Sequence, residues 1–97
     1  MRLKKEIIDF LKQKNIELFS KDTKIYLFGS RTKDSLKGGD IDILILSETK
    51  LPNKLIRNFR TSFYKKFGWQ KIDIVNFSFA EEHPFKTVIM DDCIELV

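Results

Sequence analysis

Apolar residues recur along this chain with two alternating patterns of spacing, one typical of helices and one typical of strands. Near the N-terminus Leu3, Ile7 and Leu11 repeat at helical spacing with charged residues between them, which predicts an amphipathic helix over the first dozen or so residues. Residues 24–28, Lys-Ile-Tyr-Leu-Phe, form a β-branched and aromatic run that stops at Gly29, the pattern of a buried strand followed by a tight turn. The chain therefore begins with a helix that we expect to pack on a sheet.

The following stretch combines a turn with a second strand. Ser30 offers an N-cap hydroxyl to a short helix predicted within residues 31–36, which Gly38 and Gly39 would end. Residues 40–46, Asp-Ile-Asp-Ile-Leu-Ile-Leu, are apolar enough for a central strand and are acidic only at their first and third positions. Because alternate strand residues share a face, those two acids are predicted to project together.

A long helix is predicted next, from Pro52, which suits a first helical turn, to Gly68, which suits a left-handed C-terminal cap. Its apolar residues share one side at helical spacing and are predicted to be core rather than a base-stacking platform. They are Leu55, Ile56, Phe59, Phe63 and Phe67.

The C-terminal third repeats the alternation. Residues 71–77, Lys-Ile-Asp-Ile-Val-Asn-Phe, predict a third strand, and residues 84 to about 90 a short helix. That helix is expected to turn Phe85, Val88 and Ile89 inward, and residues 93–97 to add an edge strand. Alternating helices and strands indicate an α/β fold in layers.

Length and composition limit the classes of function. Ninety-seven residues predict one domain, residues 1–97. The formal charge of +4 is a mild excess of scattered lysines without an RNA-binding signature, so nucleic-acid binding is disfavoured. A single cysteine, Cys93, excludes thiolate metal clusters. Apolar runs are too short for a membrane span and no signal peptide is visible, so a cytoplasmic protein is expected.

The chemistry-bearing pattern is Gly29-Ser30, nine further residues, Asp40-Ile41-Asp42, and later Asp73. If the third strand pairs beside the second, the three carboxylates cluster and repel one another unless a divalent cation offsets their charge. Magnesium accepts one or two carboxylates and completes its shell with water and phosphate oxygens. Two such ions about 4 Å apart could stabilise an in-line displacement at phosphorus, with Asp73 as base or metal ligand.

Phosphates also need hydrogen-bond donors, which the Gly29-Ser30 turn supplies. Glycine lets the backbone approach closely, and the hydroxyl and free N–H groups at the start of a helix face an anion. Arg31 and Lys33 could add positive charge near a leaving pyrophosphate, although both could equally be solvated. A P-loop is absent, because Asp34, Ser35 and Leu36 stand where its glycine, lysine and hydroxyl residues belong.

The same residues also have purely structural interpretations, without a metal or phosphate site. Asp40 and Asp42 could be a solvated strand start after a turn, and Ser30 could be a plain helix cap.

An EF-hand calcium loop starting at Asp40 is excluded, because Leu44 and Ile45 occupy positions that need an oxygen ligand and a glycine. His83, before Pro84, is predicted to be a loop residue or helix cap rather than a base. Three lysines around the end of the long helix are predicted to be solvated: Lys65, Lys66 and Lys71.

The composite Gly29-Ser30-x9-Asp40-x-Asp42, followed by Asp73 within Lys-Ile-Asp-Ile-Val, resembles the minimal nucleotidyltransferases (MNT) of the DNA polymerase β superfamily. The resemblance covers nearly the whole chain. It implies a mixed β-sheet with helices packed on it, in the palm-like fold of nucleotidyltransferases. It further implies that Gly29, Ser30 and Arg31 bind the nucleotide, that Asp40 and Asp42 hold two Mg²⁺ ions, and that Asp73 supports the attacking hydroxyl.

Members of the minimal group are often paired with a partner protein, and the resemblance implies such a partner here. They pair with small helical HEPN-class toxins and act as antitoxins by moving AMP from ATP to a toxin hydroxyl. The expected function is therefore magnesium-dependent transfer of NMP from an NTP, ATP being expected, to a partner protein. The alternative is a binding module that neutralises its partner by covering it, with or without a bound nucleotide.

Overall fold

The computed structural model describes residues 1–33 and 39–97. Within those ranges three α-helices and four strands alternate as the sequence predicts. The helices are α1 (Lys5–Leu18), α2 (Asn53–Phe67) and α3 (Pro84–Asp92). The strands are β1 (Lys24–Phe28), β2 (Ile41–Ser47), β3 (Ile72–Ser78) and β4 (Ile94–Glu95). A short 3₁₀ helix, Gly29–Thr32, follows β1 directly.

The strands form a mixed sheet in the order β3-β2-β1-β4. β1 runs antiparallel to both β2 and β4, whereas β2 and β3 are parallel, with α2 connecting them. A parallel pair needs such a crossover, which explains why the longest helix stands between these two strands. The α/β class and the mixed sheet are confirmed.

One face of the sheet is covered by α1 and α2, and the larger core lies there. Phe59 and Phe63 of α2 and Leu11 of α1 are fully buried against it. The strand residues of this core alternate along each strand, as the twofold period of strands requires. They include Ile25, Leu27, Ile41, Ile43, Ile45 and Ile72.

The opposite face carries a smaller core under α3. Tyr26, Leu44, Leu46 and Phe77 pack there around Ile89, the one buried residue of α3. β1 and β2 are the two inner strands and contribute to both cores, and residues 43–47 of β2 are buried without interruption.

The prediction that α3 turns three apolar residues inward is wrong for two of them. Ile89 is 4% exposed, whereas Phe85 is 45% and Val88 66% exposed. α3 is short and covers only the smaller core, so one of its side chains, Ile89, is enough to fill the space between the helix and the sheet. Phe85 instead packs edge-on against the rings of Phe28 and Phe77 beside the helix.

The turn after β1 also differs from the prediction. Ser30 does not cap a helix from outside: it lies inside the 3₁₀ helix, whose cap position is Phe28 and has no side-chain cap. The chain turns one residue early because Gly29 adopts a φ of 79°. The rest of the helix predicted within residues 31–36, and its end at Gly38, lie outside the described residues.

The bounds of α2 agree closely with the sequence, whereas α1 ends later than the predicted first dozen or so residues and β4 spans two of the five residues predicted for the edge strand. Gly68 ends α2 with a positive φ, and its N–H donates to the Tyr64 carbonyl at 2.8 Å, although its ψ of −171° is not that of a left-handed cap. None of the helices in residues 1–33 and 39–97 is both long and apolar enough to cross a bilayer.

Asn76 ties the far ends of β2 and β3 together. Its Nδ2 donates to the Ile45 carbonyl at 2.9 Å and to Ser47 Oγ at 3.1 Å. Its Oδ1 accepts the N–H of Leu51 at 2.7 Å, just before α2. One half-buried side chain therefore connects both parallel strands and the connection to α2.

Candidate active site

The three acids singled out by the sequence lie at the same end of the two parallel strands. Asp42 and Asp73 are direct partners in the β2–β3 ladder, and Asp40 stands one residue before β2. Asp42 alternates with Leu44, and Asp73 with Val75, so both acids lie on the face that α3 covers farther along. The prediction that residue 73 faces the same side as Asp42 agrees with this register.

Gly29 is the reason that the Asp42 carboxylate fits at this corner. Phe28, the residue before it, pairs with Asp42 in the β1–β2 ladder. A Cβ on Gly29 would overlap Asp42 Oδ2 and would stand 3.2 Å from Asp42 Cγ. The missing side chain therefore makes room for the carboxylate, and the positive φ turns the chain away from it.

Ser30 is held against the other end of the turn. A Cβ on Gly39 would overlap Ser30 Oγ, so the hydroxyl sits in the space that this second glycine leaves open. Gly39 directly precedes Asp40. The turn thereby brings Ser30 next to the segment that leads into the acids, although its predicted role as a phosphate ligand stays a prediction.

The electrostatics show that the acids share one environment. Partial burial raises the pKa of Asp42, and the charges of Asp73 and then Asp40 raise it further, while Lys71 lowers it. Desolvation and like charge both disfavour the ionised carboxylate. Ionising Asp42 is therefore less favourable in the folded protein than in a free aspartate.

Lys71 is a member of the site that the sequence analysis placed on a solvated face. Its Nζ lies 3.3 Å from Asp40 Oδ2. The hydrogen bond to Asp40 raises the pKa of Lys71, as do the charges of Asp40, Asp73 and Asp42, against a lowering by desolvation. A signal was present in the sequence: Asp40-Ile-Asp-Ile and Lys71-Ile-Asp-Ile align residue for residue when the strands are parallel.

Arg31 is engaged elsewhere. Its Nη1 donates to the Arg2 carbonyl at 3.0 Å and its Nε to the Gly39 carbonyl at 3.4 Å. The Arg2 N–H in turn donates to the Arg31 carbonyl at 2.8 Å. The guanidinium thus fastens the N-terminal segment to both ends of the turn, and nucleotide binding by Arg31 stays a prediction.

His83 is the helix cap that the sequence predicted. Its Nδ1 accepts the N–H of Phe85 at 3.1 Å, directly before α3. The ring lies 5.1 Å from that of Phe77. These contacts explain the residue without any part in the chemistry of the acids.

The donor set suits magnesium. Within residues 1–33 and 39–97 no three acidic, histidine or cysteine side chains lie close enough to form a ready-made metal site. Magnesium needs no such site, because it commonly takes one or two carboxylates and fills its shell with water and phosphate oxygens. The pair Asp42 and Asp73, with Asp40 beside it, offers that set, and their mutual repulsion would be relieved by a cation.

Comparisons with known proteins agree with this geometry. The family model described as "Nucleotidyltransferase domain" matches residues 4–96, nearly the whole chain. A search of curated proteins gives no significant match.

Solved structures with the same fold include two toxin–antitoxin complexes. A crystal structure of a mutant toxin–antitoxin MntA–HpeT is 18% identical, with a TM-score of 0.64 over 98% of this chain and 73% of that one. A complex of tri-AMPylated Shewanella oneidensis HEPN toxin with MNT antitoxin is 19% identical, with a TM-score of 0.55 over 93% of this chain and 71% of that one. Identities this low establish the fold, and the family match over almost the full length adds the assignment: this chain belongs to the nucleotidyltransferase domain family.

Proposed function

We propose that this nucleotidyltransferase moves AMP from ATP to a hydroxyl of a partner protein in the cytoplasm, with two Mg²⁺ ions, as the antitoxin of a HEPN-class toxin. The observation that carries the proposal is the register of Asp42 opposite Asp73, at the corner formed by Gly29. Paired carboxylates beside a glycine turn that starts a short helix supply the metal ligands and the hydrogen-bond donors that transfer at phosphorus uses.

Each residue has a separate task in this scheme. Asp40 and Asp42 would hold the ions, which neutralise charge on the phosphates when they are bound. Ser30 and the backbone N–H groups of its turn would bind the phosphate chain of ATP. Asp73, the most exposed of the three acids, would orient the acceptor hydroxyl and receive its proton.

The reaction balances with these groups alone. The acceptor oxygen bonds to the α-phosphorus of ATP as the bond from that phosphorus to the bridging oxygen breaks. Pyrophosphate leaves with the electron pair, and the hydroxyl proton passes to the Asp73 carboxylate. In-line displacement requires the acceptor oxygen to approach the α-phosphorus from the side opposite the leaving pyrophosphate.

A protein acceptor is supported by the apolar surface around α3. Several large apolar side chains are exposed around α3, on the same face as the acids, and such groupings mark protein contacts. They are Phe79, Phe85, Val88 and Met90. One structure similar to this chain contains an AMPylated HEPN toxin, which is the acceptor class that we propose here.

The test is label transfer to a HEPN-class protein encoded next to this one. With magnesium, ATP labelled at the α-phosphate should label the partner, and ATP labelled at the γ-phosphate should not. Asp42→Asn should abolish the labelling. Asp9→Asn, an equal charge change on the exposed side of α1, should retain it.

The same variant separates transfer from simple occlusion. If partner neutralisation survives Asp42→Asn and no α-label is transferred by the wild type, the protein acts by covering its partner. Labelling from the γ-position would instead indicate phosphoryl transfer and contradict the proposed reaction.

A further inference from the structure

Lys71 is held at the acidic corner by its backbone as well as by its charge. Its carbonyl accepts the N–H of Ile41 at 3.1 Å, which fixes the residue at the start of the β2–β3 pair. Extending the register by one pair beyond Ile41 and Ile72 sets Lys71 opposite Asp40. The ammonium then spans the short distance across the ladder, 3.3 Å from Asp40 Oδ2.

The charge of Lys71 acts on the whole cluster. All three acids, Asp40, Asp42 and Asp73, raise the pKa of Lys71, and Lys71 is the group that opposes the upward shift at Asp42. An ammonium in this position does part of what a divalent cation would do, because both reduce the repulsion between the carboxylates.

The ion pair between Lys71 and Asp40 is weak enough for a divalent cation to displace the ammonium. The Lys71 side chain is 60% exposed and that of Asp40 42% exposed. Exposed ion pairs contribute little because water and salt screen them and because long side chains lose freedom in forming them. A divalent ion with phosphate oxygens in its shell can therefore take the place of the ammonium at Asp40.

We propose that Lys71 is a resident counter-ion of the site: it neutralises Asp40 while no divalent cation is bound and is displaced when one binds. This inference rests on the proposed function, because it assumes that Asp40 is a metal ligand. In this role Lys71 lowers the affinity of the site for a divalent cation. Its ammonium makes the metal-free site less anionic, so the site binds the free ion less tightly than the same carboxylates would without Lys71.

The experiment is a calorimetric titration of the full-length chain with MgCl₂, repeated with MnCl₂, without nucleotide and at low salt. Lys71→Met keeps most of the length of the side chain and removes its charge. It should bind the metal about three- to fivefold more tightly, the range expected for losing competition from a pair this exposed. The gain should shrink as salt is raised, because screening weakens the competition in the wild type.

Two further variants separate local competition from net charge. Lys71→Arg keeps the cation and should bind no more tightly than the wild type. Lys54→Met removes one exposed positive charge from the first turn of α2, at the end of that helix away from Gly68. It should leave metal affinity within about twofold, because a distant exposed charge is largely screened.

A second readout needs no metal titration. In EDTA, the midpoints of thermal unfolding for Lys71→Met, Asp40→Asn and the double variant should show coupling between the two residues. In saturating Mg²⁺ that coupling should vanish, because the ammonium has left Asp40.

Equal or weaker metal affinity in Lys71→Met, while Asp42→Asn still loses binding, would overturn the role of Lys71 and leave the proposed function standing. If wild type and variants alike bind no metal, even with ATP, both the counter-ion role and the magnesium-dependent reaction are wrong.

Discussion

Asp42 on β2 lies directly opposite Asp73 on β3 in a parallel ladder. Adjacent strands are about 4.8 Å apart, so side chains in direct register on one face are near neighbours. The pairing brings together acids from two separate segments of the chain, with Asp40 and Lys71 as the next pair outward. Several measurable consequences follow from this arrangement of two acids, a third acid and a lysine.

Replacing Gly29 by alanine should damage the site more than the fold. Gly68→Ala is the matched control, since its φ of 78° is almost that of Gly29 but nothing lies within 4 Å of an added Cβ. Both variants should lose about 1–3 kcal/mol of unfolding free energy in urea from backbone strain. Gly29→Ala should in addition displace the Asp42 carboxylate and weaken Mg²⁺ binding more than tenfold. Equal metal binding by the two variants would show that the Gly29–Asp42 contact is unimportant.

Asp42→Asn should stabilise the metal-free protein at pH 7. The pKa of Asp42 is raised in the folded state by burial and by Asp73 and Asp40, so ionising this carboxyl costs the folded protein more than the unfolded chain. Wild-type stability should therefore fall as pH rises from the ordinary aspartate pKa to the raised one. The advantage of the variant, measured by thermal unfolding in EDTA, should disappear below about pH 4. An advantage that persists unchanged in acid would contradict this cause.

Asp73→Asn should abolish transfer and leave the protein folded. The side chain is exposed, so the unfolding free energy should change by no more than about 0.5 kcal/mol. Loss of a base that receives the hydroxyl proton should slow label transfer by about 10²- to 10⁴-fold. ATP binding, followed by calorimetry, should persist because Ser30 and its turn are intact. Transfer at a wild-type rate would remove Asp73 from the reaction.

Asn76→Ala should weaken the parallel pair from its far end. The substitution leaves the Ile45 carbonyl and the Leu51 N–H without the partners that Asn76 supplies. Losing such half-buried hydrogen bonds should cost about 1–3 kcal/mol in urea unfolding. Asn58→Ala, on the exposed side of α2, should change stability by less than about 0.5 kcal/mol. A similar effect for both would mean that Asn76 does not hold the strands.

Much of the fold was readable from the sequence because its strands are strongly apolar and end at clear breaks. Residues 24–28 were predicted as the strand that forms, and β2 and β3 each lie one residue later than predicted. The sequence predicted the convergence of Asp42 with Asp73 only on the condition that the third strand pairs beside the second, and β3 does pair with β2.

The features that the sequence did not show depend on tertiary contacts: the area that a helix covers, the partners of a side chain and the register of two strands. Val88 has helical spacing with Ile89, but α3 covers too small an area to bury both. Arg31 stands beside the Gly29-Ser30 turn, yet its guanidinium is directed to the carbonyls of Arg2 and Gly39. The contact of Lys71 with Asp40 required the register of β2 with β3, which periodicity alone does not define.

The connection through α2 separates Asp73 in sequence from the other residues of the candidate site. Gly29, Ser30 and Asp40 lie between the antiparallel neighbours β1 and β2, and Asp42 lies in β2, so these four residues are close in sequence. Asp73 arrives only when β3 docks after the crossover, and contacts between distant parts of a chain form late. In the proposed reaction, a copy in which β3 has not yet paired with β2 would lack Asp73, the group that receives the proton of the acceptor hydroxyl.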